Sequence, residues 1–352
     1  MPALLPILDR PIRFALVGCG RIAKNHREAI VAHNARAQLV AACDPNAEAL
    51  QSMVEATGAQ GFTSLTALLE GSDADIVVLA TPSGLHSQQA IQVAQAGRHV
   101  LTEKPMATKL DEGMAMVRAC RDAGVKLFVV KQNRLNETVQ LVKRAIAQGR
   151  FGRIFMSTVN VFWTRPQSYY DAAKWRGRWD LDGGAFMNQA SHYVDLLDWL
   201  VGPVDNVHAY TATLDRDIEA EDTGVMSLRL RHGGLASINV TMLTYPQNLE
   251  GSITILGEKG TVKIGGTAVN KIEHWQFAEP HTDDEAVKTA SYETGSVYGF
   301  GHAAYYDNVI KTLRGEGDAA VDGYEGLRSL EILVAAYRSA RDGQRVGLPL
   351  VF

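Results

Sequence analysis

The stretch Arg13-Phe-Ala-Leu-Val-Gly-Cys-Gly-Arg-Ile-Ala23 decides the fold class of this chain. It has the pattern of a short strand, a glycine-rich turn and the start of a helix. In such a turn Gly18 permits the tight bend, Gly20 lets the backbone approach a pyrophosphate, and Ala23 takes the close-packing position. The helix that follows directs its unpaired N–H groups at the phosphates. The segment therefore predicts a dinucleotide-binding unit of the Rossmann type.

A carboxylate after the next predicted strand indicates which dinucleotide is bound. Asp44 follows the strand 38–43 and lies 26 residues after Gly18. An acidic side chain at this place accepts hydrogen bonds from the ribose hydroxyls of adenosine. Its charge repels a 2′-phosphate, and the following Pro45 and Asn46 supply no arginine to compensate. The sequence therefore favours NAD over NADP as the cofactor.

Outward from this unit, the first 150 residues alternate between short apolar runs and stretches of helical period. Short strands separated by helices imply crossover connections on a parallel sheet, and continuous apolar runs suit strands covered on both faces. The sequence thus predicts an α/β, doubly wound Rossmann domain over residues 11–150, after an arm of residues 1–10. The predicted strands are 13–17, 38–43, 75–80, 99–102 and 125–130, and the predicted helices are 22–33, 47–57, 85–96, 111–123 and 136–148.

Beyond Gly152 longer strands follow one another, with turn signals such as His232-Gly-Gly234 between them. This pattern predicts a second α/β domain over residues 151–352, built on a large, mostly antiparallel open sheet. We assign it to substrate binding and oligomerisation, and its C-terminal segment is a candidate for packing back on the first domain. The predicted strands are 153–163, 204–213, 225–231, 234–243, 252–256 and 261–264, and the predicted helices are 185–201, 302–313 and 326–341.

The composition excludes several functional classes. Lys and Arg number 35 against 39 Asp and Glu, which gives a net charge of −4, whereas a protein that binds nucleic acid would normally be basic. No apolar run approaches the ~20 residues that cross a bilayer, and the N-terminus lacks the basic start of a signal peptide. Cys19, Cys43 and Cys120 form no CxxC pair. We therefore expect no disulfide framework, no metal site and a cytoplasmic location.

Three further strand ends carry motifs that resemble a known family. They are Ala80-Thr-Pro-Ser-Gly-Leu-His86, Thr102-Glu-Lys-Pro105 and Val130-Lys-Gln-Asn-Arg134, and with His26 they resemble the glucose–fructose oxidoreductase and inositol dehydrogenase family, also written Gfo/Idh/MocA. The similarity continues through Trp175-Arg176 and Gly183-Gly-Ala-Phe-Met-Asn-Gln-Ala-Ser-His192. It implies a Rossmann domain joined to an α/β domain whose open sheet often mediates oligomers. It also implies hydride transfer between a nicotinamide and a sugar-like carbinol.

The resemblance implies that Lys104 and His192 are catalytic, and the chemistry of these residue types agrees. Oxidation of a secondary alcohol requires a base for the hydroxyl proton, and a histidine, with an ordinary pKa of about 6.5, suits that role at neutral pH. An ammonium group beside the hydroxyl oxygen stabilises the negative charge that develops there. Which of the two side chains takes the proton stays open at this point.

Position 188 departs from the family pattern, which places Asp four residues before the catalytic histidine. In this chain the residue is Asn188. Because positions i and i+4 share a helix face, Asn188 and His192 are expected to converge on one substrate. Asparagine cannot serve as a carboxylate base, so more of the proton transfer falls on His192 or Lys104. Asp195, three residues after His192, is a candidate for orienting its imidazole.

The resemblance assigns further residues to the two ligands. The cofactor is expected at Gly18, Gly20, Arg21, Ile22, Asp44, Thr81, Pro82, Leu85, His86, Glu103, Lys104, Gln132 and Arg176. The substrate is expected at Lys104, Asn133, Arg165, Tyr169, Asn188, His192 and Tyr298. The loop from Arg165 to Arg178 concentrates arginines and tyrosines, whose guanidinium forks and hydroxyls suit phosphate and carboxylate oxygens. We predict that this loop anchors a diphosphate, and the segment 298–302 is the second candidate.

The segments 131–134, 163–166, 183–198 and 241–247 resemble one bacterial branch of the family, which oxidises the 3-hydroxyl of UDP-N-acetylglucosaminuronic acid. That resemblance implies a UDP-sugar acid as substrate and a homotetramer. It also implies a 3-keto product that an aminotransferase uses in lipopolysaccharide biosynthesis. Two alternatives stay open: a dehydrogenase of a free polyol or inositol, and a non-enzymatic NAD-binding regulator.

Overall fold

The computed structural model describes residues 5–294 and 301–351. The chain forms two compact units, one made of Met1–Lys131 with His302–Leu327, the other of Gln132–Gly301 with Arg328–Phe352. The domain bounds of 11–150 and 151–352 stay a prediction. Within the described ranges, no helix combines the length and the apolar character that a membrane crossing requires.

The first unit is built on a parallel sheet of six strands in the order β3-β2-β1-β4-β5-β6, which confirms the predicted Rossmann sheet. The order reverses between β1 and β4, and ligands of such sheets bind at this switch point. The strands are β1 (Ile12–Val17), β2 (Ala37–Cys43), β3 (Gln60–Phe62), β4 (Ile76–Leu79), β5 (His99–Thr102) and β6 (Leu127–Val129). The helices are α1 (Ala23–Val31), α2 (Ala47–Thr57), α3 (Leu65–Gly71), α4 (His86–Gln95) and α5 (Leu110–Ala123).

The second unit is built on an eight-stranded sheet in the order β13-β12-β11-β7-β10-β9-β8-β14. The pair β7–β10 is parallel and the other pairs are antiparallel, which confirms the predicted mostly antiparallel sheet. Its strands are β7 (Ile154–Phe162), β8 (Val204–Ala212), β9 (Thr223–Leu230), β10 (Leu235–Thr241), β11 (Glu250–Gly257), β12 (Gly260–Gly265), β13 (Lys271–Phe277) and β14 (Val346–Gly347). The remaining helices are α6 (Glu137–Ala147), α7 (Gln167–Asp171), α8 (Ser191–Val201), α9 (Val287–Ala290), α10 (Gly301–Leu313) and α11 (Gly323–Asp342).

Side chains alternate between the two faces of this second sheet. Met226, Leu228 and Ile238 point inward from β9 and β10 and are buried, whereas Val225 and Leu235 are exposed. Helix α8 packs against β7 on the covered side. Such alternation is typical of an antiparallel sheet with one face on a core and one open face.

The predicted helix 185–201 is wrong in its first turn. Residues Ala185–Gln189 form a π-helical turn, and α8 begins only at Ser191. The Ala190 N–H donates to the carbonyl of Ala185, five residues back, at 2.9 Å. Side chains from elsewhere satisfy the first N–H groups of the turn, since Phe186 donates to Glu221 and Met187 donates to Tyr337. Tertiary contacts therefore stabilise the π-helical turn before α8. Sequence periodicity cannot predict such contacts.

Several short elements have no sequence signal that predicts them. Strand β3 has three residues, two of them exposed, and β13 carries charged and exposed side chains along the sheet edge. Neither has a continuous apolar run or a clean alternation. The helices α3, α7 and α9 are also short, with four to seven residues each.

A buried histidine at the start of β5 makes the stability of the first unit depend on pH. His99 is 6% exposed, and its Nδ1 accepts the backbone N–H of Lys126 at 3.0 Å. Burial, together with the charge of Lys126, lowers the pKa of His99 to about 4. In the unfolded chain His99 is protonated below about pH 6.5, whereas in the folded chain it is protonated only below about pH 4. Stability from this group is therefore complete above pH 6.5 and is lost as the pH falls towards 4.

We expect His99→Asn to reduce this acid sensitivity, because the amide oxygen of Asn can accept the Lys126 N–H without titrating. The difference in unfolding free energy between pH 7.5 and pH 4.5 should shrink by up to about 3 kcal/mol, at roughly 1.4 kcal/mol per pKa unit. Denaturant unfolding at the two pH values measures it. His274→Asn, which replaces an exposed histidine, is the matched control. An unchanged pH difference in His99→Asn would contradict the assignment.

Candidate active site

The glycine-rich turn after β1 has the geometry that a dinucleotide requires. Gly18 has φ +93°, and a Cβ on it would lie 2.5 Å from the carbonyl oxygen of Ala80 at the end of β4. A Cβ on Gly20 would meet no atom within 4 Å, so open space lies beside this exposed residue. Helix α1 begins directly after the turn, at Ala23. The turn thus combines a close strand contact, an open backbone and a helix N-terminus, which fit the pyrophosphate of NAD.

The carboxylate of Asp44 lies against the same turn. Its Oδ2 accepts the backbone N–H of Cys19 at 2.7 Å, and its Oδ1 accepts the N–H of Asn46 at 2.8 Å. Burial, followed by the charge of Asp44, raises the pKa of Cys19 to about 12 and that of Cys43 to about 11. Both thiols therefore stay protonated. Asp44 places a fixed negative charge where the adenosine ribose of a bound NAD is expected.

The segment after β4 is tied to the segment after β5 by a buried histidine. His86 is 1% exposed, and its Nε2 and Nδ1 each lie 2.9 Å from a carbonyl oxygen, of Thr81 and Pro105 respectively. Burial lowers the pKa of His86, so the ring is neutral and one of the two contacts lacks a proton. Thr81 donates to Gln89 at 2.5 Å, and Leu85 is exposed. Among the residues assigned to the cofactor, His86 thus has both ring nitrogens beside backbone carbonyl oxygens, and its single N–H donates to one of them.

Glu103 directly follows β5 and lies in a buried cluster of the first unit. Its Oε2 accepts the backbone N–H of Lys104 at 3.0 Å, and its Oε1 lies 3.2 Å from His26 Nε2 and 4.0 Å from His302 Nε2. The Nδ1 of His26 lies 2.8 Å from the hydroxyl of Tyr306. Burial alone would raise the pKa of Glu103. The hydrogen bond and charge of His26, with the charges of His302 and Lys104, outweigh burial and hold that pKa well below its ordinary value.

His192, near the start of α8, is buried beside the segment after β6. Its Nε2 lies 3.3 Å from the Nε2 of Gln132, which is 1% exposed. Asp195, on the next turn of α8, forms a bidentate ion pair with Arg134, with both N···O distances at 2.8 Å. The structure therefore brings Gln132 and His192 together, and it engages Asp195 with a guanidinium. Asn133, which the sequence assigned to the substrate, is also buried here.

Asn188 lies on the π-helical turn and contacts a carboxylate that the sequence analysis missed. Its side-chain amide Nδ2 donates to Oδ1 of Asp182. Beneath the same turn Glu221 is buried, and its Oε1 accepts the N–H of Phe186 at 2.8 Å and the hydroxyl of Tyr337 at 2.9 Å. Burial raises the pKa of Glu221 to about 7. The sequence signal for this part of the site was the pair of glycines that follows Asp182. Gly183 has a positive φ, and a Cβ on Gly184 would collide with Glu221.

The arginines of the predicted diphosphate loop differ in their partners. Arg178 is exposed and pairs with Asp180 at 3.1 Å and Glu219 at 4.0 Å. No acidic side chain in the described ranges lies within ion-pair distance of Arg165 or Arg176. Their guanidinium carbons lie instead over the ring of Tyr169, at 5.4 Å and 4.2 Å.

Neither guanidinium group is neutralised by a carboxylate in the part of the chain that the structure describes, and Arg176 donates to the carbonyl of Tyr169. Arg165 donates to the carbonyl of Thr164 at 2.7 Å and to Asn248 at 3.4 Å. The Nε of Arg176 is buried without a hydrogen-bond partner. Unpaired cations stacked on an aromatic ring are typical of sites that recognise phosphate or carboxylate groups. Of the other assigned residues, Arg21 is exposed, Ile22, Pro82 and Lys104 are half-buried, and Tyr298 lies outside the described residues.

Comparison with known proteins identifies the family. Residues 12–131 match the oxidoreductase family model for an NAD-binding Rossmann fold, and residues 143–348 match the model for the C-terminal α/β domain of the same family. Inositol 2-dehydrogenase of Rhizobium meliloti is 28% identical over 96% of this chain and 99% of its own. D-apiose dehydrogenase of Paraburkholderia graminis is 27% identical over 95% of this chain and 89% of its own.

Two solved structures are much more similar. The WlbA dehydrogenase from Bordetella pertussis, in complex with NADH and UDP-GlcNAcA, is 70% identical, with a TM-score of 0.96 over 98% of this chain and 100% of that chain. The WlbA dehydrogenase from Chromobacterium violaceum, in complex with the same two molecules, is 63% identical, with a TM-score of 0.96 over 100% of both chains. The chain therefore belongs to the Gfo/Idh/MocA family of oxidoreductases, and it is an NAD-dependent enzyme of that family.

Proposed function

We propose that this enzyme oxidises the 3-hydroxyl of UDP-N-acetylglucosaminuronic acid to the 3-keto sugar. The observation that carries the proposal is the 70% and 63% identity to two dehydrogenases that were crystallised with NADH and this UDP-sugar acid. The arginines of the second unit support it. A nucleotide sugar acid brings about three negative charges to a chain of net charge −4, so local cations have to overcome the repulsion.

The unpaired arginines also separate this proposal from its main alternative. A free polyol or inositol is uncharged and has no use for Arg165 and Arg176, whose guanidinium groups have no acidic partner in the described residues. We propose that Arg165, with Tyr169, holds the diphosphate, and that Arg176 lies nearer the nicotinamide. A regulator without catalysis is the second alternative, and the presence of both Lys104 and His192 argues against it.

In the proposed reaction, NAD held at Gly18, Gly20 and Asp44 would supply the acceptor for the hydride that leaves the carbinol carbon. His192 takes the hydroxyl proton, and the Nε2 of Gln132 lies 3.3 Å from its Nε2. The ammonium of Lys104 holds the same oxygen and stabilises its developing negative charge. The backbone of Lys104 is in turn held by Glu103. Asn188 adds a neutral polar group four residues before His192.

The open face of the second sheet supports assembly into oligomers. Met156, Leu235 and Leu256 are exposed and lie side by side, because Met156 pairs with Leu235 across β7 and β10 and with Leu256 across β7 and β11. Apolar rows of this kind on an otherwise polar surface mark contacts with other chains. We propose a homotetramer that uses this face.

The chemistry of the product indicates where the enzyme acts. A 3-keto sugar is the substrate that an aminotransferase requires, so we propose that such an enzyme consumes the product on the way to lipopolysaccharide. We place the protein in the cytoplasm, where UDP-sugars are made and where its three free cysteines stay reduced.

The preference for NAD over NADP should depend on the charge of Asp44. We expect Asp44→Asn to keep an acceptor for the Cys19 N–H while it relaxes the discrimination against NADP by about tenfold or more. Asp44→Ala should in addition weaken NAD binding, because the ribose loses its acceptor. Binding of both dinucleotides, measured side by side by calorimetry, tests this. A wild-type preference for NADP would overturn the assignment.

Loss of either catalytic side chain should lower turnover while the fold and NAD affinity are kept. We expect His192→Ala and Lys104→Ala each to reduce kcat by ~100- to 10,000-fold, the usual range for general acid–base groups. The pH profile of kcat/KM then separates the roles, since only loss of the base removes the acidic limb. Hydride transfer at a near-normal rate in His192→Ala would mean that another group is the base.

The diphosphate assignment rests on a contrast between two arginines of one loop. We expect Arg165→Ala to raise KM for the UDP-sugar acid about ten- to a hundredfold with unchanged NAD affinity, because a charge-assisted contact is lost. Arg178→Ala is the matched control, since its guanidinium already pairs with Asp180 and Glu219, and KM should change less than threefold or so. Equal effects of the two variants would place the diphosphate elsewhere, with segment 298–302 as the next candidate.

A further inference from the structure

The carboxylate of Asp182 is hydrogen-bonded to the side chain of Asn188, the position at which the sequence departs from the expected family pattern. Asp182 is 1% exposed, its Oδ1 accepts the amide Nδ2 of Asn188, and its Oδ2 accepts the backbone N–H of Gly177 at 2.8 Å. Both carboxylate oxygens are thus engaged, one on each side. Because an amide carries its N–H groups and its oxygen on opposite edges, this contact fixes which edge of Asn188 faces away from Asp182.

The surroundings of Asp182 are already rich in acid. Glu221 is 2% exposed, and the charge of Asp182 adds to burial in raising the pKa of Glu221 to about 7. Burial, with a smaller contribution from the charge of Asp182, also raises the pKa of Tyr170 on α7. A carboxylate at position 188 would be a third acid on this turn, directly against an anion that now receives a hydrogen bond. Like charges at such a distance cannot both stay ionised.

We propose that Asp182 is a positioning residue that requires an amide at position 188, and that it orients Asn188 so that the amide oxygen serves the substrate. In this chain the acid on the turn stands at position 182, and the amide stands at position 188. The amide oxygen is an acceptor for a sugar hydroxyl or for the N–H of an acetamido group, and it brings no charge near a uronate. This last step rests on the proposed function.

The contact of Asn188 also reaches the start of α8. The carbonyl oxygen of Asn188 accepts the hydroxyl of Ser191 at 3.0 Å, and its backbone N–H donates to the carbonyl of Gly184 at 2.9 Å. His192 follows Ser191 directly. Asp182 therefore acts on the reaction through Asn188 and the turn that carries it, without touching the reacting atoms itself.

The test is a reciprocal exchange of the two side chains. We expect Asn188→Asp and Asp182→Asn each to lower kcat/KM about ten- to a hundredfold with NAD affinity unchanged, because each breaks a charge-assisted hydrogen bond. The double variant Asp182→Asn with Asn188→Asp restores a donor–acceptor pair but keeps a charge at position 188, so its loss should be smaller than the product of the two single losses. Asp180→Asn, two residues away and exposed, is the control and should behave as wild type.

Thermal unfolding supplies a readout that needs no substrate. In Asn188→Asp the facing carboxylates raise one folded-state pKa above its unfolded value, so the penalty is full at high pH and disappears as the pH falls below both values. The Tm should lie about 5 °C below wild type at pH 8, and this difference should become smaller at pH 5. This result holds even if the enzyme oxidises another carbinol. A pH-independent Tm difference in Asn188→Asp, or a double variant with merely multiplied losses, would overturn the proposal.

Discussion

One buried carboxylate, that of Glu103, holds together the edge of the first unit at which β5 ends. Glu103 directly follows β5, and its Oε2 accepts the backbone N–H of Lys104. Its Oε1 lies beside the imidazoles of His26 on α1 and His302 on α10. A buried anion is costly unless it is paired and hydrogen-bonded, so these partners have to stay in place. The same carboxylate therefore links the strand end that carries Lys104 to α1, the helix that begins after the glycine-rich turn.

The first unit was largely predictable because its signals are local. Apolar runs predict the central strands, and Gly18 shows its requirement directly, since no other residue fits both its φ of +93° and its approach to Ala80. Strand β3 was not predicted, because its three mostly exposed residues form neither an apolar run nor an alternating pattern. The ring of His86 was assigned to the cofactor from a motif, whereas its two contacts with backbone carbonyls depend on a tertiary arrangement that no motif encodes.

In the second unit, the side chains that position the site were the hardest to predict. The segment 185–201 has an unbroken helical period, yet Glu221 and Tyr337, far along the chain, take the N–H groups that would begin the helix. Asp182 likewise looked like an ordinary loop acid in the sequence. Its two oxygens accept hydrogen bonds from Asn188 and Gly177, and no local sequence pattern predicts these contacts. The loop arginines were predicted as a group. Only the structure shows that Arg178 has acidic partners, whereas Arg165 has none among the described residues.

The most direct test of the account follows the hydride itself. The purified enzyme is loaded with NAD and mixed with UDP-N-acetylglucosaminuronic acid that carries deuterium at C3, with UDP-N-acetylglucosamine and with myo-inositol, while the absorbance of reduced nicotinamide is recorded. The account predicts a signal of about one reduced nicotinamide per site with the sugar acid, deuterium in the nicotinamide, and little signal with the other two. An equal signal with myo-inositol, or deuterium retained in the sugar, would contradict it.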